Sequence, residues 1–265
     1  MARDDLGTPH LRFERDGSVA RCVIDRPERR NALTPAMYFG IRKAVEIVEH
    51  DPALAVLVIT GTGDTFAPGG EMAGRFDDDR SAQLGGLLGT DVLPFERIRD
   101  SAKPVISAVN GTCQGGRLLI AMLSDIAIAS DRATFRIPEL LRGVADVNYA
   151  TYLVPHVGIA RARDLIFTAR RFDAQEAVEM GLIARVVAHD ELEAATHAVI
   201  ADVVQGAPEA RRQLKRIVNS AYGRVDRMTF EASVFGDEAA EGFAAFAEKR
   251  PPSWVPEDFR RDGRL

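Results

Sequence analysis

Acid–base chemistry at neutral pH needs groups that hold or move a proton and groups that stabilise developing charge, and a few short stretches of this sequence supply candidates for both. In "NGTCQGGRLLIAMLSDI", residues 110–126, Gly115-Gly116 join a strand-like run to a helix-like run. Glycines at such a junction let backbone N–H groups come close to a ligand, and the helix start adds the positive end of its dipole. The first helical residues, Arg117-Leu118-Leu119-Ile120, offer neither acid nor nucleophile. A second Gly-rich stretch, "GTGDTFAPGGEMAG" (61–74), carries Gly69-Gly70. Local sequence leaves open whether either pair binds something or merely permits a tight turn. The carboxylates of interest are Glu139, after Pro138, and Asp146 in "GVADVNYATYLVPHVG". A loop separates them, so spacing does not fix their distance. If both line one apolar pocket, desolvation and mutual repulsion raise at least one pKa and give an acid and a base near neutrality. Each also has a structural reading: Asp146 as the N-cap of a helix starting near Asn148, Glu139 as a loop-surface carboxylate.

Other groups carry less. Asp77-Asp78-Asp79 lack supporting His or Asn ligands and read as a solvated loop, so no metal site is expected. His156 follows Pro155 at a helix end, and His10, His50, His189 and His197 fall in no motif. Cys22 and Cys113 have no CxxC spacing, which argues against a disulfide framework or zinc site and fits a reducing, cytoplasmic setting. Arg117 and Arg136 read as partners of surface acids, the commoner role, with selection of a polar ligand as the alternative. A net charge of −5 gives no overall basic field for nucleic acid. The first ten residues lack an apolar signal core, and no apolar stretch reaches spanning length unbroken, so the expectation is a soluble protein without a membrane partner.

The elements that must position these groups follow from periodicity. With 265 residues and 46% hydrophobic content, the chain can bury a substantial core. Strands are expected at 19–25, 54–61 and 103–111, the last two nearly continuous in aliphatic residues as when both faces are covered. Thr34 and Pro35 open an amphipathic helix with Met37, Ile41, Val45 and Val48 on one side. A helix-like segment is expected over 81–99, and strand-like "DIAIAS" and "ATFRI" lead to Pro138-Glu139. Beyond Asn148 the sequence reads as helices at 148–154, 159–168, 174–180, 191–204, 208–222 and 237–248, interrupted by one strand at 183–187. The layout is a mixed α/β core over 1–200 followed by a helical part, 201–265.

Six stretches in order resemble the crotonase (enoyl-CoA hydratase/isomerase) superfamily: "RPERRNAL" (26–33), "VITGTGDTFAPGGEM" (58–72), "KPVISAVNGTCQGG" (103–116), "SDIAIAS" with "ATFRIPELLRG", "LIFTARRFDAQEAVEMGLIARVV", and "EGFAAFAEKRPPSW". The resemblance spans nearly the whole chain. It implies a spiral of ββα units with a helical trimerisation region, a homotrimer or dimer of trimers, and acyl-CoA thioesters as ligands, with coenzyme A part of the substrate and no separate cofactor. Two backbone donors that hold a thioester enolate oxygen map to Gly70 and Gly116. Pro68 replaces a small residue, and Glu71 stands where a short acid fixes the loop. Coenzyme A contacts map to Arg29, Arg30, Ala32, Phe246 and Lys249. Hydratases of the family use two glutamates; the first position is Leu119 here, the second survives as Glu139, and Asp146 lies where divergent members carry a functional aspartate. Leucine moves no proton, so the expectation is an isomerase or lyase of acyl-CoA and lipid metabolism rather than a plain hydratase, the alternative being a catalytically impaired acyl-CoA-binding protein.

Overall fold

The computed structural model describes residues 5–67 and 93–257. Nine strands run in chain order: β1 (Leu11–Asp16), β2 (Val19–Ile24), β3 (Val56–Gly61), β4 (Val105–Val109), β5 (Cys113–Gln114), β6 (Ile126–Ser130), β7 (Thr134–Arg136), β8 (Arg171–Asp173) and β9 (Arg185–Val187). Six form one sheet in the order β1-β2-β3-β4-β6-β9, and β5-β7-β8 form a second. Within the larger sheet β1 and β2 are an antiparallel hairpin and the remaining pairs are parallel. The largely aliphatic β3 and β4 are its middle strands, β4 buried throughout and β3 over Val56–Ile59. The hairpin partner β1, which sequence periodicity did not single out, buries Leu11 and Phe13 and leaves Arg12 and Glu14 partly exposed. Strand β8 was also unforeseen, since three residues, RFD, give no detectable period.

Helix α1 (Pro35–His50) starts as its sequence dictates: Thr34 Oγ1 accepts from Met37 N at 3.4 Å, and Pro35 gives up no needed donor. Its buried face holds Met37, Ile41, Val45 and Val48, and adds Tyr38. Of the helix expected over 81–99, the described part is α2 (Phe95–Asp100). Helix α3 (Gly116–Leu123) follows Gly115 at φ 62°, a left-handed backbone that glycine adopts without a Cβ penalty. Helix α4 (Val147–Val157) runs through Pro155 into a last turn, past the expected end at 154. The proline forgoes only one late bond, and Gly158, at φ 76°, closes the helix by donating to Val154 O.

The rest is helical: α5 (Ile159–Thr168), α6 (Ala174–Glu179), α7 (Leu192–Gln205), α8 (Pro208–Asn219), α9 (Arg227–Val234) and α10 (Asp237–Glu248). Among these only α9 was not anticipated, although Asp226 caps it by accepting from Thr229 N. None of these helices, nor any other described helix, is long and apolar enough to cross a membrane. The mixed α/β sheets followed by C-terminal helices are the architecture that the sequence resemblance implies.

Helix α10 closes over a 3-10 turn at Glu139–Arg142, and α9 reaches the loop that follows it. Ser233 Oγ accepts from Ala145 N at 2.6 Å and donates to Gly143 O at 3.3 Å. Gly242 lies so near the turn that a Cβ there would stand 2.5 Å from Arg142 O. We expect Gly242→Ala to push α10 off the turn and lower stability by about 1–3 kcal/mol, seen as a reduced denaturant midpoint at unchanged slope. An unchanged midpoint would show that the contact is not tight.

Candidate active site

The site begins with one peptide group. Gly115 N donates to Arg136 O, joining β5 to β7, and Gly115 O accepts from the Tyr149 hydroxyl at 2.7 Å and from Leu118 N at 2.9 Å. In a trans peptide the C=O and the following N–H point to opposite sides. Once Tyr149 and Leu118 hold the Gly115 carbonyl, the Gly116 N–H is therefore turned away from both. It donates to no carbonyl among the described residues, and Gly116 lines a cavity of about 60 Å³. Gly70, Glu71, Pro68 and Asp77-Asp78-Asp79 lie outside the described residues.

Glu139 and Asp146 line this same cavity, together with Tyr38, Phe95 and Phe230. Glu139 folds over the glycines, its Oε1 standing 2.5 Å from where a Gly115 Cβ would be. A side chain at residue 115 would displace the carboxylate, so glycine is needed here for space as well as for φ. The Glu139 Oε2 is buried and has no hydrogen-bond partner among the described residues. Burial, and then the Asp146 carboxylate, push the Glu139 pKa up to about 8. Burial also raises Asp146, against the pull of its hydrogen bonds. Those bonds settle the local role of Asp146: it caps α4, its Oδ1 accepting from Asn148 N at 3.0 Å and Asn148 Nδ2 at 2.9 Å. Capping and the cavity position coexist, because the cap fixes the carboxylate where α4 meets the cavity.

Of the neighbouring residues, Arg117 and Arg136 depart from expectation. Leu119 is fully buried in the main core and does not line the cavity. Arg117 pairs with no surface acid: it is fully buried, and none of its three guanidinium nitrogens has a hydrogen-bond partner among the described residues. Its surroundings are Tyr38, Cys113, Glu139 and Tyr149, whose influence opposes the lowering of its pKa by burial. The second turn-out is Arg136, whose Nε donates to Ala169 O at 2.7 Å. Cys22 and Cys113 are buried free thiols, their pKa values raised by burial, which makes them inert packing groups.

Among the coenzyme A candidates, Arg29 and Arg30 are exposed on the 3-10 turn at Pro27–Arg29 and its left-handed exit. Beside Ala32, buried Asn31 holds this loop: its Nδ2 donates to Thr62 O and Thr65 O, and its Oδ1 accepts from Arg26 N. Arg26 in turn donates to Ala32 O. Phe246 is about half exposed, with the Arg142 guanidinium 4.6 Å over its ring, and Lys249 is exposed at the left-handed end of α10. Arg142 also lines the cavity, so it links Phe246 to Glu139. A larger, open cleft of about 670 Å³ between α2 and α8 contains neither the glycines nor the cavity carboxylates. Sequence reasoning missed Tyr38, Tyr149 and Arg142. Tyr38 alone had a signal, a polar tip on the apolar stripe of α1.

Comparison with known proteins is in keeping with this geometry. A family model described as enoyl-CoA hydratase/isomerase matches residues 14–257. The chain is 31% identical to a mevalonyl-coenzyme A hydratase of Aspergillus fumigatus over 94% of its length and 93% of that protein. It resembles the crystal structure of an enoyl-CoA hydratase/isomerase from Pseudoalteromonas atlantica with a TM-score of 0.78 at 27% identity, covering 93% of this chain and all of that one. A carnitinyl-CoA hydratase from Mycobacterium avium superposes with a TM-score of 0.75 at 30% identity, covering 93% and 98% of the two chains.

The raised Glu139 pKa has a consequence for folding. A carboxyl that ionises less readily when folded supports the native state fully at pH values below its unfolded pKa near 4.5, and that support is lost as pH rises through about 8. Glu139→Gln has no such titration. Its stability relative to the parent is expected to climb between these two pH values and then level off. Denaturant melts of both proteins across this range are the measurement, and a pH-independent difference would contradict a buried, ionising Glu139.

Proposed function

The chain belongs to the enoyl-CoA hydratase/isomerase family, and from that premise we propose that it moves a proton along the acyl chain of a coenzyme A thioester through an enolate, acting as an isomerase or related lyase. The observation that carries this is Glu139, a raised-pKa carboxylate pressed against Gly115 beside the cavity-facing Gly116. Glu139 as carboxylate takes a proton from the acyl carbon next to the thioester or from the γ carbon, and the C–H electrons move into the thioester to give an enolate oxygen. The Gly116 N–H, with Gly70 as the family pattern implies, donates to that oxygen in a site shielded from water. Glu139 then returns the proton to a different carbon. One base is enough for this, whereas hydration by the family's glutamate pair calls for an acid at Leu119.

A hydratase is the second reading, favoured by the placement of Asp146 beside Glu139 in one cavity and by the names of the relatives. Asp146 would then replace the missing glutamate. The nucleotide end is assigned to Arg29, Arg30, Ala32, Phe246 and Lys249, whose guanidinium, aromatic and ammonium groups suit phosphates and adenine. A homotrimer or dimer of trimers accounts for the apolar residues left in solvent by one chain: Leu214, Ile217 and Val218 on α8, Met228 on α9, and Phe235.

Two measurements test these assignments. Solvent deuterium should exchange into a bound acyl-CoA at a rate that rises with pH through about 8, and Glu139→Gln should slow it by about 100- to 10,000-fold. Equal rates in the two proteins would remove Glu139 as the base and leave either Asp146 as the base or a binding protein, while faster water addition than exchange would favour the hydratase. Light scattering at micromolar concentration should give at least three times the chain mass, and a monomer would refute the assembly.

A further inference from the structure

One group in the cavity is left without a role by this mechanism. The Tyr38 ring is 96% shielded from solvent, yet its hydroxyl opens on the cavity. Buried tyrosines usually give their O–H to an acceptor. Tyr38 Oη has none among the described residues. The ring is fixed by its position on α1 and by Phe95, which meets it edge-on with centroids 6.2 Å apart. The hydroxyl stands directly over Gly116: a Cβ built on that glycine would fall on Oη and come within 3.3 Å of Phe95. Gly116 has an ordinary helical backbone with no positive φ, so the missing side chain here serves close approach and not conformation.

We infer that the Tyr38 hydroxyl is a substrate-binding group that donates a hydrogen bond to the thioester oxygen, beside the Gly116 N–H. This rests on the proposed function in one respect, that the thioester carbonyl lies at Gly116. Three features of the surroundings favour it. A donor with no acceptor among the described residues has its hydrogen available for a ligand, and the ligand group nearest the Gly116 N–H is the carbonyl oxygen. Burial, opposed by Arg117 and aided by the Glu139 and Asp146 carboxylates, holds the phenol above its ordinary pKa, so it remains an O–H donor throughout the range in which Glu139 becomes a base. Arg117 supplies the opposite bias for the ligand: a buried guanidinium near Tyr38, lacking hydrogen-bonded partners among the described residues, favours negative charge gathering on an oxygen in this corner. The hydroxyl transfers no proton. It strengthens its hydrogen bond as the carbonyl gains enolate character, which stabilises the transition state more than the bound substrate.

Tyr38→Phe removes one oxygen that no described residue uses and keeps the ring against Phe95, so the fold should be retained. The probe is a saturated acyl-CoA labelled with ¹³C at the carbonyl, read by difference infrared spectroscopy on binding and by solvent deuterium exchange. In the parent, the carbonyl stretch should move to lower frequency on binding. Tyr38→Phe should lose a large part of that shift and slow exchange about 100-fold with little change in half-saturation, while Glu139→Gln should keep the shift and lose exchange. A shift that survives in Tyr38→Phe overturns the inference, including the case in which only the pH midpoint of exchange moves, which would mean that the hydroxyl serves Glu139. If the shift depends on Tyr38 but neither the parent nor Glu139→Gln exchanges, the assignment of Tyr38 stands and the proposed reaction does not.

Discussion

The Gly115-Gly116 peptide is the group on which the site depends. Its carbonyl is held by Tyr149 and Leu118, its preceding amide by Arg136, and its α-carbons by the absence of side chains where Glu139 and Tyr38 must stand. None of these restraints is strong alone, since a buried neutral hydrogen bond is worth about 1 kcal/mol net. Together they leave the peptide one orientation. An amide fixed in advance loses little orientational freedom when a ligand arrives, and it needs no reorganisation as charge develops. The orientation in turn depends on α4, which carries Tyr149 and which Asp146 caps. A carboxylate that might have been only structural thus places both the helix and itself.

Charge is the second constraint. The cavity region gathers two carboxylates and two guanidinium groups, Glu139, Asp146, Arg117 and Arg142, in partly or fully buried positions. Desolvation penalises each ionised group, and the carboxylates also repel each other. Such a cluster destabilises the loop that bears it unless other packing holds that loop in place. The C-terminal helices supply this packing, with α10 set against the Glu139–Arg142 turn through Gly143 and Gly242, and Ser233 bonded to the adjoining loop. The helical part of the chain therefore supports the site by packing against the loop that carries Glu139.

How much of this could be read from sequence depended on the length scale of the signal. Long periodic elements were legible: α1 with its Thr34-Pro35 start, the doubly buried β3 and β4, and the Gly-rich entry to α3. Strands β5 and β8, with two and three residues, carry no period and exist through long-range pairing, both with β7 and β5 also with Ala67. Glu139 was legible through its setting after Pro138, but its contact with Gly115 joins residues that no local pattern connects. Arg117 misled because arginine is ordinarily at the surface, and only the packing of Tyr38, Cys113 and Tyr149 around α3 makes it a buried cation. Tyr38 sat inside an apolar stripe, where its ring satisfied the pattern and its polar tip was the one local signal. The part of the first oxyanion assignment that falls on Gly70 lies outside the described residues.

The exchange of an acid for Leu119 also changes more than the count of carboxylates. A carboxylate at 119 would lie in the main core, where burial would penalise its charged form and hold it protonated. Leu119 instead packs into the core, and the unpaired guanidinium of Arg117 lies two residues before it. That cation works against the desolvation of Glu139, partly restoring the charged form that a base needs. Arg117 cannot itself supply the proton that hydration needs, because a guanidinium keeps its protons in the accessible pH range, and that role would fall to Asp146 in the same cavity. A buried cation near the cavity carboxylates and a cavity-facing backbone amide suits negative charge gathering on an oxygen, and Leu119, packed in the core, leaves that arrangement undisturbed.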